Sequence, residues 1–292
     1  MEIIIEIGTK EQKKLIREEL FIIEQLLDQI DLDLNITKLI IPSNFESKIN
    51  QLLGITSYKA IRRSQAAYAR TLFLRDGISL VFSPFLYTIE FDYHIRLSFY
   101  LHEFFHAFNK VRFPQLLALQ KAEDIYLTII YALFDEYYAL RKSFETLATL
   151  NELSFIFKRC NYVYFKRHID LIISREYFYE LQYEIRKFRC HGNVDYFLNK
   201  TKILTDEISK ALINIFSYLD SCRKLKRIEP FLSRSVFVND ATLNLIDYFR
   251  EKYKNCEIDL TDGIPLIEMF ICNFGIKFED IPEGIYCNVL DI

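Results

Sequence analysis

The segment Leu101-His102-Glu103-Phe104-Phe105-His106-Ala107 sets two imidazoles and a carboxylate close together on one short stretch. Histidines four apart project from the same face of a helix, so the ring nitrogens of His102 and His106 can close on one tetrahedral zinc ion. Glu103 points about 100° away from His102 around the helix, which keeps its carboxylate out of coordination. From there it can take a proton from a water that the metal activates. These residue types at this spacing support metal-assisted hydrolysis. The chemically silent reading is a pair of histidines lining the inner face of an amphipathic helix.

Two histidines leave a catalytic zinc ion one protein ligand short. A third histidine six residues after His106, the metzincin pattern, is excluded because position 112 is Arg112. The other common solution is a glutamate from a following helix, and the strongly helical stretch Ile125 to Leu150 carries Phe134-Asp135-Glu136-Tyr137-Tyr138-Ala139. Glu136 comes 30 residues after His106, room for a turn and a helix that folds back. Asp135 and Glu123 are the alternative ligands, and a solvated helix charge is the bland alternative for Glu136.

HEFFH in the first helix, with Glu136 and the small Ala139 in the second, resembles the gluzincin superfamily of zinc metallopeptidases. In element order the resemblance covers roughly the first 150 residues. It implies Zn2+ as cofactor, with His102, His106 and Glu136 as ligands, a fourth position open for water, and Glu103 as general base. The implied activity is peptide-bond hydrolysis on a peptide or protein substrate. Several gluzincins have an aspartate four residues after the glutamate ligand, and here that place is Leu140. Asp135 is the nearest carboxylate for such an orienting role, although a helix points it about 100° from Glu136. Tyr137, Tyr138, His94, His168 and His191 are available to stabilise an oxyanion, and no spacing singles one out. Two other functions fit the motif: a non-catalytic protein-binding or regulatory module, against which the intact Glu103 counts, and a zinc hydrolase of a non-peptide bond.

The elements that must position these residues are legible upstream. Tyr68 to Leu74 and Ile78 to Phe82 read as strands joined through Asp76-Gly77, followed by a helix from about Thr88 to Lys110. Larger and smaller residues alternate in Ile78 to Ser83, so that strand is expected at a sheet edge beside the active-site helix, open to an extended peptide. Thr9-Lys10-Glu11-Gln12 is a capping box opening a helix whose face holds Leu15, Ile16, Leu20, Ile23, Leu26, Leu27 and Ile30. Thr37 to Ile41 reads as a strand, and a second helix opens at Pro42-Ser43-Asn44 and closes at Gly54. Met1 to Gly8 alternates in apolar character without forming a basic leader or a membrane span.

Beyond Leu150 the clearest stretches are helices over Glu176 to Cys190, Val194 to Leu219 and Asn239 to Tyr253, with a tail, Gly275 to Ile292, that is irregular or briefly extended. The expected fold is α+β and mostly helical. A small mixed sheet packs on the HExxH helix and the Glu-bearing helix in a zincin-like core, residues 1–150. A helical C-terminal domain, residues 151–292, follows a junction at Asn151 to Cys160.

The chain has 292 residues, is 51% hydrophobic and carries a net charge of −3. That balance argues against an electrostatic nucleic-acid binder, and the basic run Arg223 to Arg227 reads as charge complementing a helix end. Six cysteines without a CxxC pair read as buried free thiols of a reducing compartment. The expected location is the cytoplasm, with no membrane partner, and the sequons at Asn35 and Asn199 are chance matches.

Overall fold

A computed structural model describes residues 1–28, 36–62, 65–87, 93–112, 120–149, 166–222 and 232–292. Strand β1 (Glu2–Ile5) leads into helix α1 (Lys10–Asp28), strand β2 (Ile36–Ile41) and helix α2 (Phe45–Leu53). The Thr9 amide donates to Gln12 Oε1 at 2.8 Å and the Gln12 amide to Thr9 Oγ1 at 3.3 Å, the reciprocal bonds of a capping box. Along α1, Ile16, Leu20 and Ile23 are buried at i, i+4 and i+7. Leu15, expected on that face, is 54% exposed because it stands about 100° off the row. Leu26, Leu27 and Ile30 fall outside the described side chains. Helix α2 is capped by Asn44, which accepts from the Ser47 amide, and ends at Gly54 with φ 66°.

Two short strands, β3 (Ile61–Arg62) and β4 (Gln65–Ala66), precede the expected hairpin of β5 (Ala69–Leu74) and β6 (Gly77–Phe82). Leu74 pairs with Gly77 across a loop of Arg75 and Asp76. Gly77 has φ 121°, and a Cβ there would stand 2.3 Å from Thr37 Cγ2 on the neighbouring strand. Both the backbone angle and the close approach therefore require glycine.

The main sheet runs β1-β2-β6-β5, with β1, β2 and β6 mutually parallel and β5 antiparallel. This corrects the expected edge position of Ile78 to Phe82: β6 is hydrogen-bonded to β2 on one side and β5 on the other, leaving no free backbone for a peptide. Its residues are covered on both faces, and a strand so placed carries a nearly continuous apolar run. The alternation came from Ser79, which is fully buried. Val81 packs with Ile40, Leu72, Phe45 and Ile49 beneath α2. Phe82 faces the other way, its ring 4.4 Å from that of Tyr100 in helix α3 (Tyr93–Arg112). The start predicted for α3 near Thr88 lies outside the described residues. Helix α1 is tied to α3 by the Arg96–Glu19 ion pair, Nε to Oε2 at 3.0 Å.

Helices α4 (Ala122–Thr149), α5 (166–173), α6 (Arg175–His191), α7 (Val194–Cys222), α8 (Asp240–Asn255) and α9 (Ile264–Cys272) follow. The chain then forms a hairpin of β7 (Ile276–Ile281) and β8 (Gly284–Val289), more regular than the irregular or briefly extended tail expected there. The fold is α+β and mostly helical. Two compact units divide it: Met1–Arg112 with Lys142–Phe157, and Phe113–Arg141 with Lys158–Ile292. The division falls inside α4. The first unit holds the four-stranded sheet with α1 to α3. The second is helical, closed by the β7–β8 hairpin: the Ala122 amide donates to Asp280 Oδ1 at 2.8 Å, and the Phe278 amide to the Tyr126 hydroxyl at 2.9 Å.

Cys190, Cys256, Cys272 and Cys287 form no disulfide, but the expectation that they are buried holds only for Cys287. Cys190 and Cys256 are exposed because they sit at the ends of α6 and α8, where Cys256 takes the left-handed position after the helix. The junction Asn151 to Cys160, the basic run Arg223 to Arg227 and Asn35 lie outside the described residues. Among the described residues, no helix is long and apolar enough to cross a membrane.

Candidate metal centre

Helix α3 buries Leu97, Tyr100, Leu101, Phe104 and Phe105, an i, i+3/i+4, i+7/i+8 row that sets its rotation against the sheet. His102 and His106 flank that row and are half-buried. Their rings meet at 80° with centroids 4.3 Å apart, and the two Nε2 atoms face each other at 2.9 Å. Two imidazole nitrogens on one tetrahedral zinc ion at about 2.0–2.1 Å stand about 3.3 Å apart, so a slight opening of the pair would admit the ion.

Glu103, the residue between the row and the histidines, is only 7% exposed. Its Oε2 accepts a 2.6 Å hydrogen bond from the hydroxyl of Thr71 on β5. Among the described residues that hydroxyl is the one side-chain partner of Glu103, and no cation pairs with it. The second carboxyl oxygen, Oε1, accepts no hydrogen bond.

Glu136 lies on α4, half-buried, next to residues whose positions are tightly fixed. The rings of Phe134 and Tyr137 pack on Phe249 of α8 with centroids 5.3 and 5.7 Å away. The Tyr137 hydroxyl donates to Asp220 Oδ2 at 2.6 Å and accepts from Arg141 at 2.8 Å, while Arg250 Nε donates to both Asp220 oxygens at 3.0 Å. Burial, and then the charge of Asp220, hold the Tyr137 phenol well above its usual range. Both sides of that hydroxyl are engaged, so it does not serve as an oxyanion donor, and Tyr138 is also buried.

His102, His106 and Glu136 each offer one ligand atom to a group in which all the atoms lie within 4.8 Å of one another. Asp135 and Glu123 fall outside this group. Two imidazole nitrogens and one carboxylate oxygen form a donor set that suits zinc and leaves a fourth tetrahedral position free. Of the other histidines, His191 closes α6, its Nδ1 accepting from the Asn193 amide at 2.8 Å, which is a helix-end role. His168 on α5 is pushed down to about 4, first by burial and then by the charge of Arg167, with the charge of Glu136 opposing both. An imidazole neutral at pH 7 thus stands in the electrostatic field of Glu136. The side chain of His94 is outside the described set.

Sequence reasoning missed Thr71 and Asp220. Thr71 meets Glu103 across 32 residues and Asp220 meets Tyr137 across 83, and neither pair has a periodic or motif signature. No known protein family, curated protein or solved structure matches the chain.

Proposed function

We propose that this protein is a zinc-dependent hydrolase that cleaves peptide bonds. The observation that carries the reading is the convergence of His102 Nε2, His106 Nε2 and the Glu136 carboxylate, with the cation-free Glu103 carboxyl next to His102 in the chain. When bound there, zinc lowers the pKa of a coordinated water toward neutrality and polarises a carbonyl. His102, His106 and Glu136 would hold the ion. Glu103 Oε1, free of hydrogen bonds, accepts the proton of the attacking water and can hand it to the leaving amine. A buried carboxyl with one neutral partner is expensive as pure structure, since an apolar side chain would fill the same space at no such cost. That expense favours a catalytic Glu103 over a binding module.

The choice of a peptide bond rests on the motif resemblance, and the partner implied is a peptide or protein substrate. Cysteines outside disulfides suit a reducing compartment such as the cytoplasm. The test is metal analysis with a hydrolysis assay on internally quenched peptides. We expect about one zinc per chain bound by His2Glu ligation, and Glu103→Gln to keep the metal and the fold while lowering turnover about 10²- to 10⁴-fold. A Gln variant as active as the wild type would transfer the zinc to a structural role.

A further inference from the structure

We infer that Thr71 is the positioning residue for Glu103, selecting which carboxyl oxygen receives the proton. The inference rests on the hydrolase reading and adds a residue that no part of the motif contains. Thr71 sits in the middle of β5, which pairs residue by residue with β6 from Ala69↔Phe82 to Leu74↔Gly77, so its Cα is fixed by a ladder that continues before and after it along the strand. A β-branched side chain has few rotamers, and this one points the hydroxyl at α3. Its Oγ1 lies 2.6 Å from Glu103 Oε2 and 3.0 Å from the Glu103 carbonyl oxygen. The hydroxyl has one proton, and the shorter contact to the carboxyl oxygen takes it. Strand and helix therefore hold Oε2 from opposite sides.

The consequence is an asymmetric carboxyl. Oε2 commits one of its lone pairs to Thr71, and Oε1 keeps both of its own for the reacting water. Without the hydroxyl, the glutamate would retain its helix position and lose its rotamer constraint, because no other described side chain bonds it. A base that wanders by even 1 Å from its productive geometry loses rate while the substrate binds as before. Thr71 touches neither water nor substrate in this scheme, so it acts only through Glu103.

The experiment compares zinc-loaded wild type, Thr71→Val, Thr71→Ser, Glu103→Gln and the Thr71→Val/Glu103→Gln double variant on the internally quenched peptide that the wild type cleaves best, with zinc content and melting temperature measured for each. Valine keeps the shape and the strand propensity and removes the donor. Loss of one charge-assisted, orienting bond should lower kcat roughly 10- to 100-fold for Thr71→Val with KM within about twofold, while Thr71→Ser should restore most of the rate. In the Glu103→Gln background the Val substitution should add nothing, because the residue it positions has already been disabled. If Thr71→Val melts, Thr71→Ala, which removes the hydroxyl and leaves no methyl against Glu103, takes its place with the same expected loss. A Val or Ala variant with unchanged kcat, or one whose loss is as large in the Gln background as in the wild type, overturns the role of Thr71 and leaves the hydrolase reading standing. Zinc-loaded wild type that cleaves no peptide in the library sinks the hydrolase reading, and the role of Thr71 with it.

Discussion

In His168, whose ring feels the charge of Glu136, burial removes the water that would stabilise the protonated, charged form. The ring is pushed down to about 4 in the folded protein, against about 6.5 when unfolded. The sign follows from which state binds more protons. Above pH 6.5 both states hold His168 neutral and stability is intact; as pH falls through 6.5 toward 4 the unfolded chain takes up the proton first and stability is lost. The loss is no more than about 3 kcal/mol, since each pK unit is worth about 1.4 kcal/mol and the ring keeps some exposure. We expect metal-free His168→Gln to flatten the dependence of urea stability on pH between 6.5 and 4; a slope identical to that of the wild type would mean that other groups carry it.

Among the elements, those whose ends are written locally were the most legible. Thr9 to Gln12, Asn44 and Gly54 give caps that each form within four residues of chain, and the structure contains each of them. The β5–β6 hairpin is equally local. Strand order is not, because the β2–β6 pairing that buries β6 joins residues about 40 apart, and nothing in Ile78 to Phe82 records which neighbour lies on its second side. β1 was missed for the same reason, since four residues become a strand only against β2. In the site, the i, i+4 spacing of the histidines was readable and the hydroxyl from β5 was not, since it depends on how α3 lies on the sheet. Gly77 makes the hairpin testable. Alanine there must accept φ 121° and displace Thr37, and we expect Gly77→Ala to cost about 1–3 kcal/mol in urea unfolding with an unchanged m-value. Gly54→Ala, at φ 66° with open space around its Cβ position, should cost less; equal losses would show that backbone angle alone decides both.

At the scale of the whole molecule, a ligand that binds only the folded chain shifts the unfolding equilibrium by mass action, by about 2.7 kcal/mol at a hundred times its dissociation constant. Zinc should therefore raise the melting temperature of the wild type and of Glu103→Gln alike, chelation should reverse the gain, and Glu136→Ala should show little of it. Calorimetry with and without chelator checks this, and an Ala variant that gains as much as the wild type would remove Glu136 from the ligand set. The bond from the Ala122 amide to Asp280 closes the first turn of α4 with a residue 158 positions further along. A ribosome adding about 5–20 residues per second delivers that partner roughly 8–30 s after the helix it caps. During that interval the nascent α4 presents an open amide end, so on the ribosome the timing of elongation, more than the intrinsic rate of helix formation, governs when this helix acquires its final neighbours.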